Sequence, residues 1–158
     1  MAYKKWTKSG DQLRGDPRYN SRLAAKFINC MMWSGKKTVS SQIFYKALDA
    51  VSRKIADVPP IEIFETAVDN VRPNIQIRSR RVGGSNYQVP VPVNPRRSQS
   101  LAIRWILEAA RAKKGRPMEQ RLASELIDAF NRTGAAMTTR DNVHRMADAN
   151  KAFAHFAW

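Results

Sequence analysis

Residues 74–93 read NIQIRSRRVGGSNYQVPVPV and differ in pattern from the rest of the chain. Its residues follow a period of two, whereas the segments on both sides repeat with a period near 3.6. A loop of the two residues Gly83 and Gly84 predicts an antiparallel hairpin in which Val82 pairs with Ser85. The chain is therefore predicted to hold one β-hairpin between helical segments.

Two prolines in the second strand support this register independently. Pro90 then faces Ile77 and Pro92 faces Ile75, both at non-hydrogen-bonded positions. Because proline has no amide hydrogen to donate, it fits positions where the partner strand needs no donor. Near the tip both faces carry arginine or other polar side chains, so the hairpin is predicted to project from the core as a ribbon.

Three helices are predicted before the ribbon. Apolar side chains recur at three- and four-residue spacing in residues 20–33, 38–55 and 61–71, with glycine or proline after each run. Beyond the ribbon, Asn94 and Pro95 have the residue types of an N-cap and a first helical position. They predict the start of a fourth helix.

Two further helices complete the prediction. Pro117 begins the fifth helix and Gly134 is its C-terminal stop. Thr138 and Asp141 have capping-box spacing, which predicts the start of a sixth helix. The fold class is mainly α: a single domain over residues 1–158, with six helices and a protruding two-stranded antiparallel β-ribbon between helices three and four.

The formal net charge of +15 is unevenly distributed. Residues 1–37 hold nine basic and two acidic side chains, and residues 72–116 hold 11 basic and one acidic. Since 43% of the residues are hydrophobic, the chain can build a core. We therefore expect the basic residues to lie on the surface of a folded domain and not in a disordered chain. Such an excess indicates a surface that binds a polyanion. Residues 1–15 are predicted to be a flexible basic extension.

Other functional classes find little support in the sequence. No apolar run is long enough to cross a bilayer, and the amino terminus lacks a secretory signal pattern. The single cysteine, Cys30, lies among apolar residues, so we expect a buried structural thiol in a reducing compartment. Trp33 and Trp105 are also assigned to the core. With no credible nucleophile and base, and His144 flanked only by two aspartates, we predict no enzyme activity, no cofactor and no metal site.

Basic side chains on helix one, the ribbon and helix four are predicted to form one continuous surface. Arginines at positions 97, 104 and 111 recur at near-helical spacing, and the ribbon adds arginines together with Tyr87 for base stacking. Two alternatives stay open: the GKK stretch at 35–37 is either a phosphate clamp or a plain turn, and the ribbon either enters nucleic acid or is a solvated hairpin. The residues predicted to bind nucleic acid are Lys4, Lys5, Lys8, Arg22, Lys26, Lys36, Lys37, Arg72, Arg78, Arg80, Arg81, Gly83, Gly84, Tyr87, Arg96, Arg97, Arg104, Arg111, Lys113, Lys114, Arg116 and Arg145.

Several motifs match a known family in order and spacing. They include SRL at 21–23, GKK at 35–37, NVRP at 70–73, SRRVGGS at 79–85 and HRMA at 144–147. In these motifs the sequence resembles the bacterial form of the small-subunit ribosomal protein seven family, from about residue 16 to the end of the chain.

The resemblance implies an α-helical domain with a protruding ribbon that binds the 3′ major domain of small-subunit ribosomal RNA and nucleates assembly of the head. It also implies neighbouring small-subunit proteins, tRNA and messenger RNA at the exit site, and in some bacteria the protein's own messenger RNA as partners. The residues closest to the exit site would be Arg80, Arg81, Gly83, Gly84 and Ser85. We expect the protein to act in a ribosome, either in the cytoplasm or in an organelle, and to have no membrane partner.

Reasoning from the residues alone leaves a second class of function open. A helical body with a basic β-arm also describes some architectural DNA-binding proteins. Those proteins usually place an apolar or proline wedge at the tip of the arm, whereas residues 82–85 offer only Val82. Competition between folded ribosomal RNA and duplex DNA distinguishes the two. A nucleic-acid-processing enzyme, a third class, would need an acidic cluster or metal site that the sequence lacks.

Overall fold

The computed structural model describes residues 13–156, so most of the predicted extension over residues 1–15 lies outside the described part. The elements are α1 (Arg22–Met31), α2 (Lys37–Lys54), α3 (Pro60–Val71), β1 (Ile75–Val82), β2 (Ser85–Pro92), α4 (Pro95–Ala112), α5 (Met118–Phe130), α6 (Ala135–Ala149) and a 3₁₀ helix (Lys151–Phe156). This order confirms the predicted mainly α class, with the ribbon between α3 and α4. Across residues 13–156, none of the helices is long and apolar enough to cross a membrane.

The core lies where α5 packs against α2, α3 and α4. Its aromatic centre joins Phe27 of α1, Phe44 of α2 and Phe64 of α3, which are fully buried with ring centroids 5.1 to 5.5 Å apart. Tilted and edge-to-face contacts at this spacing are favourable for aromatic pairs. This packing holds α1 in place, so that the helix presents its outer face to solvent.

The ribbon has the predicted register. Its strands are antiparallel, with Val82 opposite Ser85 and Ile77 opposite Pro90. Gly83 and Gly84 have φ angles of 57° and 89°, which places both central loop residues in the region that a type I′ turn requires. Among the described residues, a Cβ atom at either position would meet nothing within 4 Å. The backbone conformation, and not a lack of space, therefore favours glycine here.

Gly134 does not end α5 as the sequence predicted. The helix ends at Phe130 and is closed by a Schellman motif, in which the Thr133 amide donates to the Asp128 carbonyl at 2.8 Å. Arg132, with a φ of 59°, occupies the left-handed position that glycine usually takes. The sequence prediction was wrong because an arginine adopts this conformation.

The start of α6 also differs from the prediction. The helix begins at Ala135, with Gly134 as its N-cap, so Thr138 lies inside the first turns and its hydroxyl donates to the Gly134 carbonyl at 3.0 Å. The acceptor at this helix start comes from α5, where Glu125 Oε1 accepts from the Ala136 amide at 2.9 Å. A cap supplied by another helix leaves no local sequence signal.

The same Glu125 is a fully buried acid that ties three helices together. Its Oε2 atom lies 2.8 Å from Nζ of Lys113, the C-cap residue of α4, and Asp128 Oδ2 lies 3.2 Å from the same nitrogen. Burial lowers the pKa of Lys113, but the hydrogen bonds to Glu125 and Asp128 outweigh it and hold this pKa above its usual value. Lys113 is therefore paired inside the protein.

Two residues assigned to the core are exposed. Cys30 is solvent-exposed because successive residues of a helix lie about 100° apart, which turns it away from the buried stripe that contains Phe27 and Met31. Trp33 is 71% exposed because α1 ends at Met31, so the helical pattern no longer directs its side chain. Trp105 does pack against the core, with part of its surface exposed.

Candidate nucleic-acid interface

A group of six basic side chains lies where α1 and α4 pack side by side. Both helices bury an apolar face, so their charged residues point outward. Two shallow grooves follow the contact, one lined by Arg22, Lys26 and Arg96 and the other by Lys26, Arg97, Arg104 and Arg111. We call these six residues the α1–α4 surface.

Within residues 13–156, no acid forms an ion pair with a side chain of the α1–α4 surface. The ion pairs found within residues 13–156 use Arg18, Arg72, Lys113 and Arg140, and none of them uses one of the six residues. Among the acids that the structure describes, Glu108 alone lines a groove with them. Neighbouring unpaired cations raise the local potential and attract phosphates.

The ribbon is joined to this surface at its base. Gln76 of β1 is 8% exposed and lies between Arg97 of α4 and Arg78 of the ribbon. In one orientation of its carboxamide the oxygen accepts from Arg97 Nε at 3.3 Å, and in the other it accepts from Arg78 at 3.1 Å. Ser98 of α4 also donates to the Pro73 carbonyl at 2.8 Å, just before β1. These contacts make the ribbon an extension of the α1–α4 surface.

The outer half of the ribbon is open to solvent. Arg78, Arg81 and the residues of the two-glycine tip are exposed, and Arg80 is half-buried. On β1, Arg78 and Arg80 share one face whereas Arg81 points to the other. A ribbon with guanidinium groups on both faces can contact two phosphate backbones at once.

Tyr87 faces the protein. Its ring centroid lies 5.1 Å from that of Phe153 and 5.5 Å from that of Phe156, both in the 3₁₀ helix. This helix has no clear periodic signal in the sequence and was therefore not predicted. The structure gives Tyr87 the role of holding the 3₁₀ helix against β2.

A further group of basic residues lies at the corner between α1 and α2. Lys36 and Lys37 are exposed, and Lys36 is the N-cap of α2, where its side chain makes no capping hydrogen bond. Helix N-termini carry partial positive charge, which adds to that of the lysines. Exposed Trp33 lies at the same corner, with Arg111 Cζ 5.2 Å from its ring centroid. Sequence reasoning missed Trp33 at this surface.

The remaining predicted residues have different surroundings. Lys114 and Arg116 are exposed beyond the end of α4, and Arg145 is exposed on α6. Arg72 pairs with Asp69 at 3.1 Å. Predicted RNA contacts by Lys4, Lys5 and Lys8 fall outside the described residues.

His144 has a contact within the protein. Its Nε2 atom accepts from the Asn74 amide at 3.4 Å, next to the base of the ribbon. Asp141 pairs with Arg140 at 2.6 Å. In the described part of the chain, no group of three or more histidine, cysteine or acidic side chains is placed to hold a metal ion.

Comparison with known proteins identifies the relatives of this chain. A family model described as ribosomal protein S7p/S5e matches residues 3–151. A protein named small ribosomal subunit protein uS7 from Rhodopirellula baltica is 59% identical over 153 residues, which cover 96% of this chain and 98% of the relative. Proteins of the same name from Thermosipho africanus and Helicobacter hepaticus are each 54% identical, covering 90% and 93% of this chain and 92% and 94% of theirs.

Proposed function

The chain belongs to the ribosomal protein S7p/S5e family, and we propose that this structural, non-enzymatic protein of the small ribosomal subunit binds ribosomal RNA through the α1–α4 surface and the ribbon. The RNA is the 3′ major domain of the small subunit, where binding nucleates assembly of the head. Neighbouring small-subunit proteins are its other partners, and its site of action is the bacterial ribosome in the cytoplasm.

The observation that carries this proposal is the unneutralised charge of the α1–α4 surface. Six basic side chains border two grooves, and within residues 13–156 none of them forms an ion pair with an acid. RNA helices that converge at a junction repel each other through their phosphates. A rigid surface of guanidinium and ammonium groups relieves that repulsion and holds the helices at fixed angles.

The ribbon has a second role in this proposal. Its tip residues Arg80, Arg81, Gly83, Gly84 and Ser85 reach toward the path of tRNA and messenger RNA at the exit site. The same basic surface is the candidate for binding the protein's own messenger RNA. Lys113 is left out of the proposed RNA-binding set because its ammonium group is held by Glu125 and Asp128.

The salt dependence of affinity for the 3′ major domain tests this proposal. If about six phosphates are neutralised, log affinity falls with log salt concentration at a slope of about −4 to −5. Replacing Lys26 or Arg104 with glutamine should weaken binding and reduce the slope by about 1 each. Lys54→Gln is the matched control, because Lys54 is an exposed cation at the end of α2, outside both grooves.

Two results would contradict the proposal. A wild-type slope near −1 would mean that a multi-phosphate interface does not exist. Equal affinity for duplex DNA in competition would favour the architectural DNA-binding alternative, because a protein that reads RNA shape prefers its folded target.

A further inference from the structure

Trp33 is the most exposed of the large hydrophobic residues in the described chain. Its side chain is 71% exposed, compared with 51% for Val39 and 49% for Met146. The residues that follow it, Ser34 and Gly35, have φ angles of 50° and 72°, so the backbone turns sharply after the indole. An exposed indole beside cations offers a flat surface on which a nucleic-acid base can stack.

The ring is held in place by α4. Arg111 Cζ lies 5.2 Å from the ring centroid, within the range of a cation–π contact. The same guanidinium donates from Nη2 to the Met31 carbonyl at 3.1 Å, which anchors it to the last turn of α1. Because the ring remains 71% exposed, this contact leaves most of the indole accessible. The contact with Arg111 therefore orients the Trp33 ring and leaves one side of it open to a ligand.

The surroundings of Trp33 favour a nucleotide over a protein segment. The cleft beside it has a volume of about 190 Å³ and an apolar floor that includes Met31, Ile43 and Met118. Its rim carries Lys36 and Arg111, and its lining among the described residues includes no acidic side chain. A flat aromatic ring beside cations matches a base with its flanking phosphates, since every base has a π-face and every link is anionic.

We propose that Trp33 stacks on an unpaired base of the bound RNA, while Lys36 and Lys37 contact the phosphates on either side of it. This inference rests on the proposed function, because it takes RNA as the partner. It adds a contact with a single-stranded nucleotide to an interface otherwise described by its phosphate contacts. Arg111 is a positioning residue as well as a member of the α1–α4 surface.

The first test compares Trp33→Ala, Trp33→Phe and the wild type for affinity to the 3′ major domain across a series of salt concentrations. Loss of stacking should weaken binding about 5- to 150-fold for alanine, and phenylalanine should restore most of it. The salt slope should stay unchanged, because no phosphate contact is removed. Val39→Ala is the matched control, since it removes an exposed apolar side chain that has no π-face. An alanine variant that binds within twofold of the wild type would overturn the inference.

A second measurement separates this inference from the proposed function. Binding of a short oligouridylate, which is unpaired throughout, should quench tryptophan emission in the wild type and less in Trp33→Phe. Equal quenching in both proteins would overturn the stacking inference, even if the wild type bound the 3′ major domain with the steep slope. A shallow slope on that domain would instead overturn the proposed function, whatever the oligouridylate shows.

Discussion

Replacing Lys113 with alanine should destabilise the protein strongly, although this lysine lies in a stretch whose charge indicates RNA binding. The substitution leaves the carboxylate of Glu125, which is fully buried, without its partner at 2.8 Å. Removing one member of a buried pair costs about 3 to 5 kcal/mol. Because the Lys113 side chain is 33% exposed, water can partly replace it, and we expect the lower end, about 3 kcal/mol.

Urea and thermal unfolding of the free protein measure this effect. A loss of about 3 kcal/mol lowers the melting temperature of a chain of this size by about 6 to 12 °C. Lys114→Ala is the matched control, because Lys114 follows Lys113 in the sequence and its side chain is exposed. This substitution should change the unfolding free energy of the protein by no more than about 0.5 kcal/mol. The salt dependence of RNA affinity should respond in the opposite way. The slope of log affinity against log salt concentration should become less steep for Lys114→Ala and stay constant for Lys113→Ala.

A double-mutant cycle shows whether the carboxylate is the cause. Glu125→Gln removes the charge but keeps an oxygen that can accept from the Ala136 amide. If the unpaired charge dominates, Lys113→Ala combined with Glu125→Gln should be more stable than the sum of the two single effects by about 1 kcal/mol or more. A cost below about 1 kcal/mol for Lys113→Ala, or strict additivity in the cycle, would show that the unpaired carboxylate of Glu125 is not the cause of the destabilisation.

The pair also sets the sign of a pH effect. Since the pKa of Lys113 is raised in the folded protein, its contribution to stability is fully present below the usual lysine value of 10.5. That contribution is lost as the pH rises through the folded pKa. The unfolding free energy of Lys113→Ala should therefore decline less steeply at alkaline pH than that of the wild type.

Two further predictions concern the ribbon tip and an aromatic hydroxyl. Gly84→Ala forces a Cβ onto a residue with a φ of 89° and should cost about 1 to 2 kcal/mol locally, seen as faster amide exchange in the ribbon with an unchanged helical circular-dichroism signal. Unchanged exchange would contradict the role of the turn. Burial, together with the hydrogen bond that the Tyr45 hydroxyl donates to Asp16 Oδ2 at 3.0 Å, raises the pKa of Tyr45 above 10.0. The contribution of this hydrogen bond to stability should be lost as the pH rises through that folded value. Because burial also raises the pKa of Tyr19, Tyr45→Phe should reduce the late phenolate transition of an absorbance titration without removing it.

Local patterns were sufficient for the elements whose stability depends on neighbouring residues. The ribbon register followed from two glycines and two prolines, because turn geometry and missing amide donors act over a few residues. Asn94 proved to be the N-cap of α4, with its side chain accepting from the Arg97 amide at 2.8 Å. Helix periodicity likewise located the six α-helices, apart from errors at the boundary between α5 and α6.

The same patterns failed where a partner comes from a distant part of the chain. Tyr87 is half-buried because the 3₁₀ helix packs against it, and nothing near residue 87 signals that helix. Trp33 follows an apolar stripe and resembles a core residue, yet the stripe ends with α1. A hydrophobic residue outside a helix has no periodicity to show which way it points.

By itself the sequence determined the helical class, the ribbon register, the excess of positive charge and, through its motifs, the family. Those properties are local or additive, since they depend on neighbouring residues or on composition. Which cations are ion-paired inside the protein follows only from the tertiary structure: Lys113 is bound to a buried acid, whereas Arg104 has no ion pair among the described residues. The charge of a side chain can be read from the sequence, but its neutralisation depends on the distance between the cation and an acid. When the two lie on different helices, that distance is set by the packing of the core.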